Sequence, residues 1–341
     1  MSPERSPVEE ALRKIADGAS LAREEARATM AALLAGEVTQ AEIGALLMGL
    51  RVKGETEEEV VGLVEAMRAS AVRIRPARRP LVDLCGTGGD GAGTFNISTA
   101  ASFVVAGAGV AVAKHGNRSA SSRSGSADVL EALGVPVDLP PERSERAIDE
   151  LGLGFLFAPL YHPAMRHVAG ARRELKIATI FNVLGPLANP AGVERQLVGV
   201  FDPRRRGLLA GALRRLGTER AWVVHSEDGL DEVSPGAPTS VSAVEAGGLK
   251  EFQVRAEDFG LRGGPARELA GGDPARNAEL IQAVLSGADE GPRRDAVLLN
   301  AAAAIVVAGL ASDPPEACAR ARESLDSRAG LRVLESLRRF R

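Results

Sequence analysis

Between residues 86 and 93 the chain reads Gly-Thr-Gly-Gly-Asp-Gly-Ala-Gly, five glycines in eight positions. Glycine tolerates positive φ and carries no side chain, so such a run lets bare backbone approach a ligand. The run follows the strand-like Leu81-Val-Asp-Leu84 and precedes a helix start near Asn96, whose first N–H groups and positive dipole end favour an anion. A phosphate suits this arrangement, and a flexible turn is the plain alternative. The spacing is neither Gly-x-Gly-x-x-Gly with an acidic partner about twenty residues on nor Gly-x-x-x-x-Gly-Lys-Ser/Thr, so dinucleotide and Walker chemistry are both set aside.

A second loop, Lys114-His-Gly-Asn-Arg-Ser-Ala-Ser-Ser-Arg-Ser-Gly-Ser126, offers Lys114, Arg118 and Arg123 as cations and the hydroxyls of Ser119, Ser121, Ser122, Ser124 and Ser126. This is the chemistry a polyphosphate needs. A disordered Ser/Arg linker is the alternative, opposed by the buried strand-like run before the loop and the amphipathic run 128–133 after it. Farther on, Asp228, Asp231 and Glu232 follow the strand-like Ala221–Val224. Adjacent carboxylates suit Mg²⁺ when substrate phosphates supply further oxygens. The competing reading is an exposed acidic turn that contributes little to the core. His162 and His167 stand five apart, which is not metal-ligand spacing on one helical face. Arg172 lies in an Arg-Arg-Glu run that, by residue type alone, reads as solvated surface. No serine-histidine-acid set, cysteine nucleophile or evident base presents itself, which suits displacement at an already activated carbon.

The elements that position these groups are legible in outline. Residues 98–106 read as a helix and 110–113 as a short buried strand, giving a β-α-β unit. Parallel strands with a right-handed crossover bring the loops after Leu84 and Ala113 to one carboxyl edge. Further strands are expected at 155–158, 197–201 and 221–224, helices across 161–190, at 206–216 and from Asn277, Asp295 and Asp313, and a hairpin across Gly247-Gly248. Residues 6–72 read as four helices starting at Ser6, Ser20, Thr39 and Thr56. Three of these starts are capping boxes, and Gly18, Gly36 and Gly54 stand where helices should stop. The apolar positions Ile43, Leu46, Leu47 and Leu50 are available for core packing or for a subunit contact.

The 341 residues are 45% hydrophobic and 26% charged, enough for one large domain and one small one. A net charge of −3 argues against a nucleic-acid binder. Of the 42 basic residues only five are lysines, which makes Lys114 beside the glycine run notable. Two distant cysteines, Cys85 and Cys318, give no disulfide framework. There is no basic-then-apolar leader and no apolar run of spanning length, so the expectation is a cytoplasmic chain without a membrane partner.

The segments GTGGD, KHGNRS, SSRSGSADVLEALG, TIFNVLGPLANP and DGLDE occur in the order seen in anthranilate phosphoribosyltransferases, which this chain resembles from about Ser6 to its end. The resemblance implies an α/β protein with a small all-α domain and a large α/β domain around a central, mostly parallel sheet, the nucleoside phosphorylase-like phosphoribosyltransferase fold. It places the helical domain at 1–75, completed by about 160–190, and the donor-binding domain at 76–159 and 191–341. The implied reaction joins anthranilate to 5-phosphoribosyl 1-diphosphate and releases pyrophosphate, the second step from chorismate to tryptophan. Implied donor-binding residues are Gly86, Gly89, Asp90, Thr94, Asn96, Ile97, Ser98, Thr99, Lys114, His115, Gly116, Asn117, Arg118, Ser119, Ala120, Ser121, Ser122 and Ser126. Gly86, Asn117 and Arg172 would meet anthranilate, with Arg172 on its carboxylate. Ser98, Asp231 and Glu232 would hold Mg²⁺, and a homodimer would form through the helical domain. The chain departs from the usual pattern at Lys176 and Ala178, where a glycine and an arginine are more common, and at Ser226-Glu227, where a single glycine often stands. The alternatives are a pyrimidine nucleoside phosphorylase, whose lysine-serine-glycine signature differs from KHGNRS, and a non-catalytic nucleic-acid-binding relative.

Overall fold

The computed structural model describes residues 5–119 and 123–340, so Ala120, Ser121 and Ser122 lie outside the described residues. Four helices open the chain: α1 (Pro7–Ala16), α2 (Arg23–Ala35), α3 (Gln40–Lys53) and α4 (Glu57–Ser70). The three capping boxes form at Ser6, Thr39 and Thr56, each hydroxyl accepting from the amide of the glutamate three residues on. Helix α2 starts later than Ser20 implied. Its N-cap is Ala22, whose amide donates to Glu25 at 2.8 Å, so a carboxylate inside the helix replaces the expected hydroxyl cap. Gly18, Gly36 and Gly54 follow their helices at φ of +74°, +78° and +86°.

One seven-stranded sheet in the order β3-β2-β1-β4-β5-β6-β7 forms the centre of the remainder. Its strands are β1 (Leu81–Gly86), β2 (Ala111–Gly116), β3 (Leu153–Phe157), β4 (Arg195–Gly199), β5 (Arg220–Ser226), β6 (Thr239–Glu245) and β7 (Gly248–Val254). The first five are parallel, and β6 and β7 add the expected hairpin as an antiparallel edge. Helix α5 (Ile97–Gly107) crosses from β1 to β2, and α6 (Ser126–Ala132) and α7 (Pro141–Leu151) lead to β3. After β3 come α8 (Ala158–Tyr161), α9 (Arg166–Leu175) and α10 (Ile180–Leu187); α11 (Arg204–Arg215) joins β4 to β5. Helices α12 (Pro274–Ser286), α13 (Pro292–Ala308), α14 (Pro314–Asp326) and α15 (Ala329–Arg339) close the chain.

Strand β2 runs three residues beyond the expected end, because Lys114, His115 and Gly116 pair in register with Phe155, Leu156 and Phe157 of β3. Those three residues therefore sit on a rigid strand rather than on the loop. Successive strands are laid down on one side of β1 as far as β3, and β4 then returns to its other side. The connections at the carboxyl ends of β1 and β4 thus part in opposite directions and leave a crevice, the usual ligand position in an open α/β sheet.

Helices α9 and α10 pack on α2, α3 and α4, burying Val168, Ala171, Ile180, Phe181 and Leu184 in one cluster with Met30, Leu33 and Val64. Ile43, Leu46, Leu47 and Leu50 belong to this cluster and are each about 1% exposed, so they are core within the single chain. Gln40 ties α3 to α9: its Nε2 donates to His167 O and its Oε1 accepts from Ala171 N.

Candidate active site

Every described residue that the resemblance implied for donor, anthranilate or Mg²⁺ lines one cavity of about 640 Å³ at the carboxyl edge of β1 and β2. The glycine loop forms its floor. Gly88, Gly89, Gly91 and Gly93 all take φ between +63° and +91°, a region that other residues enter only with strain. Two further glycines make room for Asp231: a Cβ on Gly86 would stand 2.4 Å from its Oδ2, and one on Gly199 would stand 1.6 Å from its carbonyl oxygen.

The acidic pair is not an exposed turn. Asp231 Oδ2 accepts from Gly88 N at 2.9 Å, and Glu232 Oε1 accepts from Ser98 N at 3.1 Å. The carboxylates therefore occupy a loop amide and a first-turn amide of α5, backbone groups that the sequence had offered to a ligand anion. Burial, then the neighbouring Asp90, raises the Asp231 carboxyl well above the ordinary carboxylate range. Burial and the Asp231 charge push Glu232 up to about 8. Asp228 takes no part: it is exposed, lies outside the cavity lining and accepts from Ser234 Oγ at 2.6 Å.

Lys114 is 3% exposed, and its Nζ donates to Leu84 O at 2.7 Å and to Ser98 Oγ at 3.4 Å. Burial lowers its pKa, while Asp83, Cys85 and Glu232 oppose that shift. Asp83, which sequence reading passed over, is fully buried behind it. Its Oδ1 accepts from His115 N at 3.3 Å, and its Oδ2 accepts from Asn189 Nδ2 at 2.8 Å. Burial moves the Asp83 carboxyl up to about 6 against the pull of Lys114. Burial also raises the Cys85 thiol far above its ordinary value, which leaves no thiolate nucleophile there.

The guanidinium of Arg118 pairs with Asp128 at 3.0 Å and Glu131 at 2.8 Å, both on α6, and lies 5.7 Å from the Phe157 ring centroid. This cation is thus partnered within the protein, where the sequence suggested a ligand. Asp128 Oδ2 also accepts from Ser119 N and Gly125 N, holding both ends of the serine-arginine loop.

Across the cavity, Arg172 projects from α9 with its guanidinium 5.0 Å from the Phe181 ring centroid. Burial lowers its pKa, and it forms no ion pair with any described residue. The solvated reading therefore fails for Arg172 and holds for its exposed neighbours Arg173 and Glu174, because one helix face meets the cavity and the other meets water. His162 lines the cavity 5.2 Å from His115, ring centroid to centroid. Burial pushes His162 down to about 4 and, helped by His162, His115 down to about 3, so both rings are neutral near pH 7. His167 lies outside the cavity and packs against Gly36. Met165, Phe181, Asn182 and Pro186 complete the Arg172 side of the cavity, and Gly272 and Asn277 close the side of the glycine loop.

The departures from the usual pattern all lie outside the cavity lining. Lys176 caps α9 at φ +51°, the left-handed region in which glycine is unstrained. The Ala178 carbonyl accepts from Arg51 Nη1. Ser226 pairs with Thr239, and Glu227 N donates to Pro238 O at 3.0 Å, so the extra residue extends the β5–β6 ladder away from the cavity.

The two parts of the chain match the glycosyl transferase family, its helical bundle domain over residues 9–71 and its a/b domain over 78–330. A curated anthranilate phosphoribosyltransferase of Symbiobacterium thermophilum is 52% identical over 96% of both chains. The crystal structure of the Thermus thermophilus enzyme superposes with a TM-score of 0.92 at 48% identity, covering 97% of this chain and 98% of that one. The Saccharomyces cerevisiae enzyme, solved with PRPP and Mg, gives 0.89 at 28% identity over 98% of this chain and 97% of its own. The chain belongs to the anthranilate phosphoribosyltransferase family. The phosphorylase and nucleic-acid readings give way to this one.

Proposed function

We propose that the cavity binds 5-phosphoribosyl 1-diphosphate over the glycine loop and anthranilate beneath Arg172, and joins the anthranilate nitrogen to the ribosyl carbon with release of pyrophosphate. The observation that carries this reading is the convergence of Lys114, Asp231, Glu232, the α5 start and Arg172 on one cavity. The yeast relative has been solved with PRPP and Mg and, separately, with 4-fluoroanthranilate, which supports the same two ligands here.

The donor residues are those named from the sequence, with the loop residues 120–122 included. Anthranilate would sit between Gly86, Asn117 and Arg172, whose planar fork matches a carboxylate bidentately. The residues at hand suit Mg²⁺: Asp231, Glu232 and Ser98 offer hard oxygens, and the crowding that raises both carboxyl pKa values is relieved by a divalent cation. Among the described residues no third acidic, histidine or cysteine side chain completes a metal cluster, so the donor and water would supply the remaining oxygens. When bound, the ion neutralises charge developing on pyrophosphate.

In the transfer, the bond from the anomeric carbon to pyrophosphate breaks and its electron pair leaves with the pyrophosphate oxygen. The amine lone pair forms the new C–N bond, and the amine proton passes to solvent or product. The aniline-type amine is neutral at pH 7, so the chain needs no dedicated base. Its contribution is placement, which can supply roughly 7–11 kcal/mol, and Lys114 and the loop amides as preorganised donors, of a kind typically worth about 2.7–4 kcal/mol each. The reading includes a homodimer through the helical domain, residues 1–75. It also places the chain in the cytoplasm, supported by the two free cysteines. Anthranilate fluorescence should fall when donor and Mg²⁺ are added; constant fluorescence at saturating donor would overturn the assignment.

A further inference from the structure

Asn277, on the first turns of α12, is 1% exposed and lies at the donor end of the cavity. Its Oδ1 accepts from Gly272 N at 2.7 Å, and its Nδ2 donates to Asn96 Oδ1 at 2.9 Å. Asn96 is the residue just before α5, and its amide is shared with the serine-arginine loop. Its Nδ2 donates to Ser124 O at 3.1 Å, and its Oδ1 also accepts from Ser124 Oγ at 3.2 Å. The backbone reinforces this junction: Phe95 N donates to Leu269 O, Gly271 N donates to Gly93 O, and Thr94 bridges Ala270. Gly271 must be bare here, since a Cβ would stand 2.6 Å from Asn277 Oδ1 and 2.7 Å from Phe95 N.

An amide oxygen has two lone pairs and an amide nitrogen two protons. With Asn277 and Ser124 on the oxygen and Ser124 O on one proton, the Asn96 amide has a single N–H left, and Asn96 lines the cavity. We propose that Asn277 is a positioning residue for the donor: by donating to Asn96 Oδ1 it fixes the amide so that Asn96 offers an N–H, and not a carbonyl oxygen, to the anionic phosphoribosyl diphosphate. The segment from Leu269 to Asn277 is then the third wall of the donor site, joining the two loops that α5 and β2 separate to a helix 181 residues beyond Asn96. The inference rests on the donor-site reading given above.

The test is steady-state kinetics and donor titration with Mg²⁺ on the wild type, Asn277→Ala, Asn277→Asp and the same variants carrying Asn96→Ala. Asn277→Asp keeps the size and the bond from Gly272 but can only accept, so it sets a carboxylate against Asn96 Oδ1 and opposes the amide orientation that the two Ser124 bonds share. The expected result is a rise in donor KM of about tenfold or more for Asn277→Ala, the scale of one lost hydrogen bond to an anion, and a larger rise for Asn277→Asp. Anthranilate KM should stay within about twofold. In the Asn96→Ala background neither change should add further loss, since the effect travels through Asn96. Unchanged donor KM in Asn277→Asp, equal damage to both substrates, or additive losses with Asn96→Ala would each overturn the proposal. If Asn277→Ala fails to fold, Asn277→Asp decides alone. Failure of the wild type to bind the donor would instead overturn the donor-site reading itself.

Discussion

The two halves of the cavity are built in opposite ways. On the donor side nearly every polar group is engaged by the chain itself: Asp231 with Gly88, Glu232 and Lys114 with residue 98, Asn96 with Ser124 and Asn277, Arg118 with Asp128 and Glu131. On the proposed acceptor side, Arg172 rests on an aromatic ring without a carboxylate partner among the described residues, and the neutral His162 meets the neutral His115 at the border with the donor side. A highly charged, flexible ligand needs donors held in place before it arrives, so the protein satisfies them in advance with its own acids. A flat aromatic acid needs one cation without a partner and an apolar slot, and the half-buried Arg172 supplies a charge that gains when a carboxylate replaces its lost water.

The largest effect expected from this contrast comes from the acids. In Asp231→Asn/Glu232→Gln turnover should fall on the order of a thousandfold, the scale of losing a preorganised electrostatic group. Yet the melting temperature of the ligand-free protein should rise, and rise most above pH 8. Glu232 pushed up to about 8 means that the folded chain bears a cost for its charge, absent at low pH and complete above that value. A fall in melting temperature at pH 8.5 would show that the acids support the fold.

Arg172→Ala should act on one half only. Losing a charge-assisted bond of about 1.5–3 kcal/mol raises anthranilate KM roughly tenfold to a hundredfold with donor KM nearly constant. Equal rises for both substrates would mark Arg172 as structural.

The neutral histidines give a smaller, pH-bound effect. Unfolded, each ring takes a proton near pH 6.5; folded, His162 takes one only near 4 and His115 near 3. Between those values these two rings bind more protons in the unfolded chain, so their contribution to stability falls as pH falls from 6.5 toward 4, on the order of 3 kcal/mol for His162 alone. Because the raised carboxyls of Asp83, Asp231 and Glu232 gain stability as pH falls over the same range, the histidine effect is read as a difference: the melting temperature of the wild type relative to His162→Gln should fall from pH 7 to 4.5. A difference that stays constant across that range would place the titration elsewhere. The smallest change expected is in Lys176→Gly, which relieves a left-handed backbone worth about 1 kcal/mol and should raise the melting temperature by a degree or two with unchanged kinetics.

Local signals carried most of the fold into view. Capping boxes, glycine stops and alternating apolar runs predicted α1, α3, α4, the parallel strands and the final hairpin, because each depends on residues a few positions apart. Sequence reading failed where a distant partner decides. Ser20 is followed by two unwound residues before α2 begins, and β2 runs on through Lys114 because β3 is beside it. Asp231 and Glu232 look like a surface turn until Gly86 and Gly199 are seen to admit them into the sheet edge. Asp83 and Asn277 carried no signal, since a lone buried Asp on a strand or Asn on a helix shows its role only through partners 106 and 181 residues away.

The central claim is that the acids, the glycine loop and the start of α5 act as one unit that the donor and Mg²⁺ complete together. Donor titrations by calorimetry at several Mg²⁺ concentrations test it most directly, in the wild type and in Asp231→Asn/Glu232→Gln. The account predicts that Mg²⁺ and donor tighten each other by the same factor in the wild type and that this coupling largely vanishes in the variant. Coupling of equal size in both proteins would contradict it and move the metal to another part of the cavity.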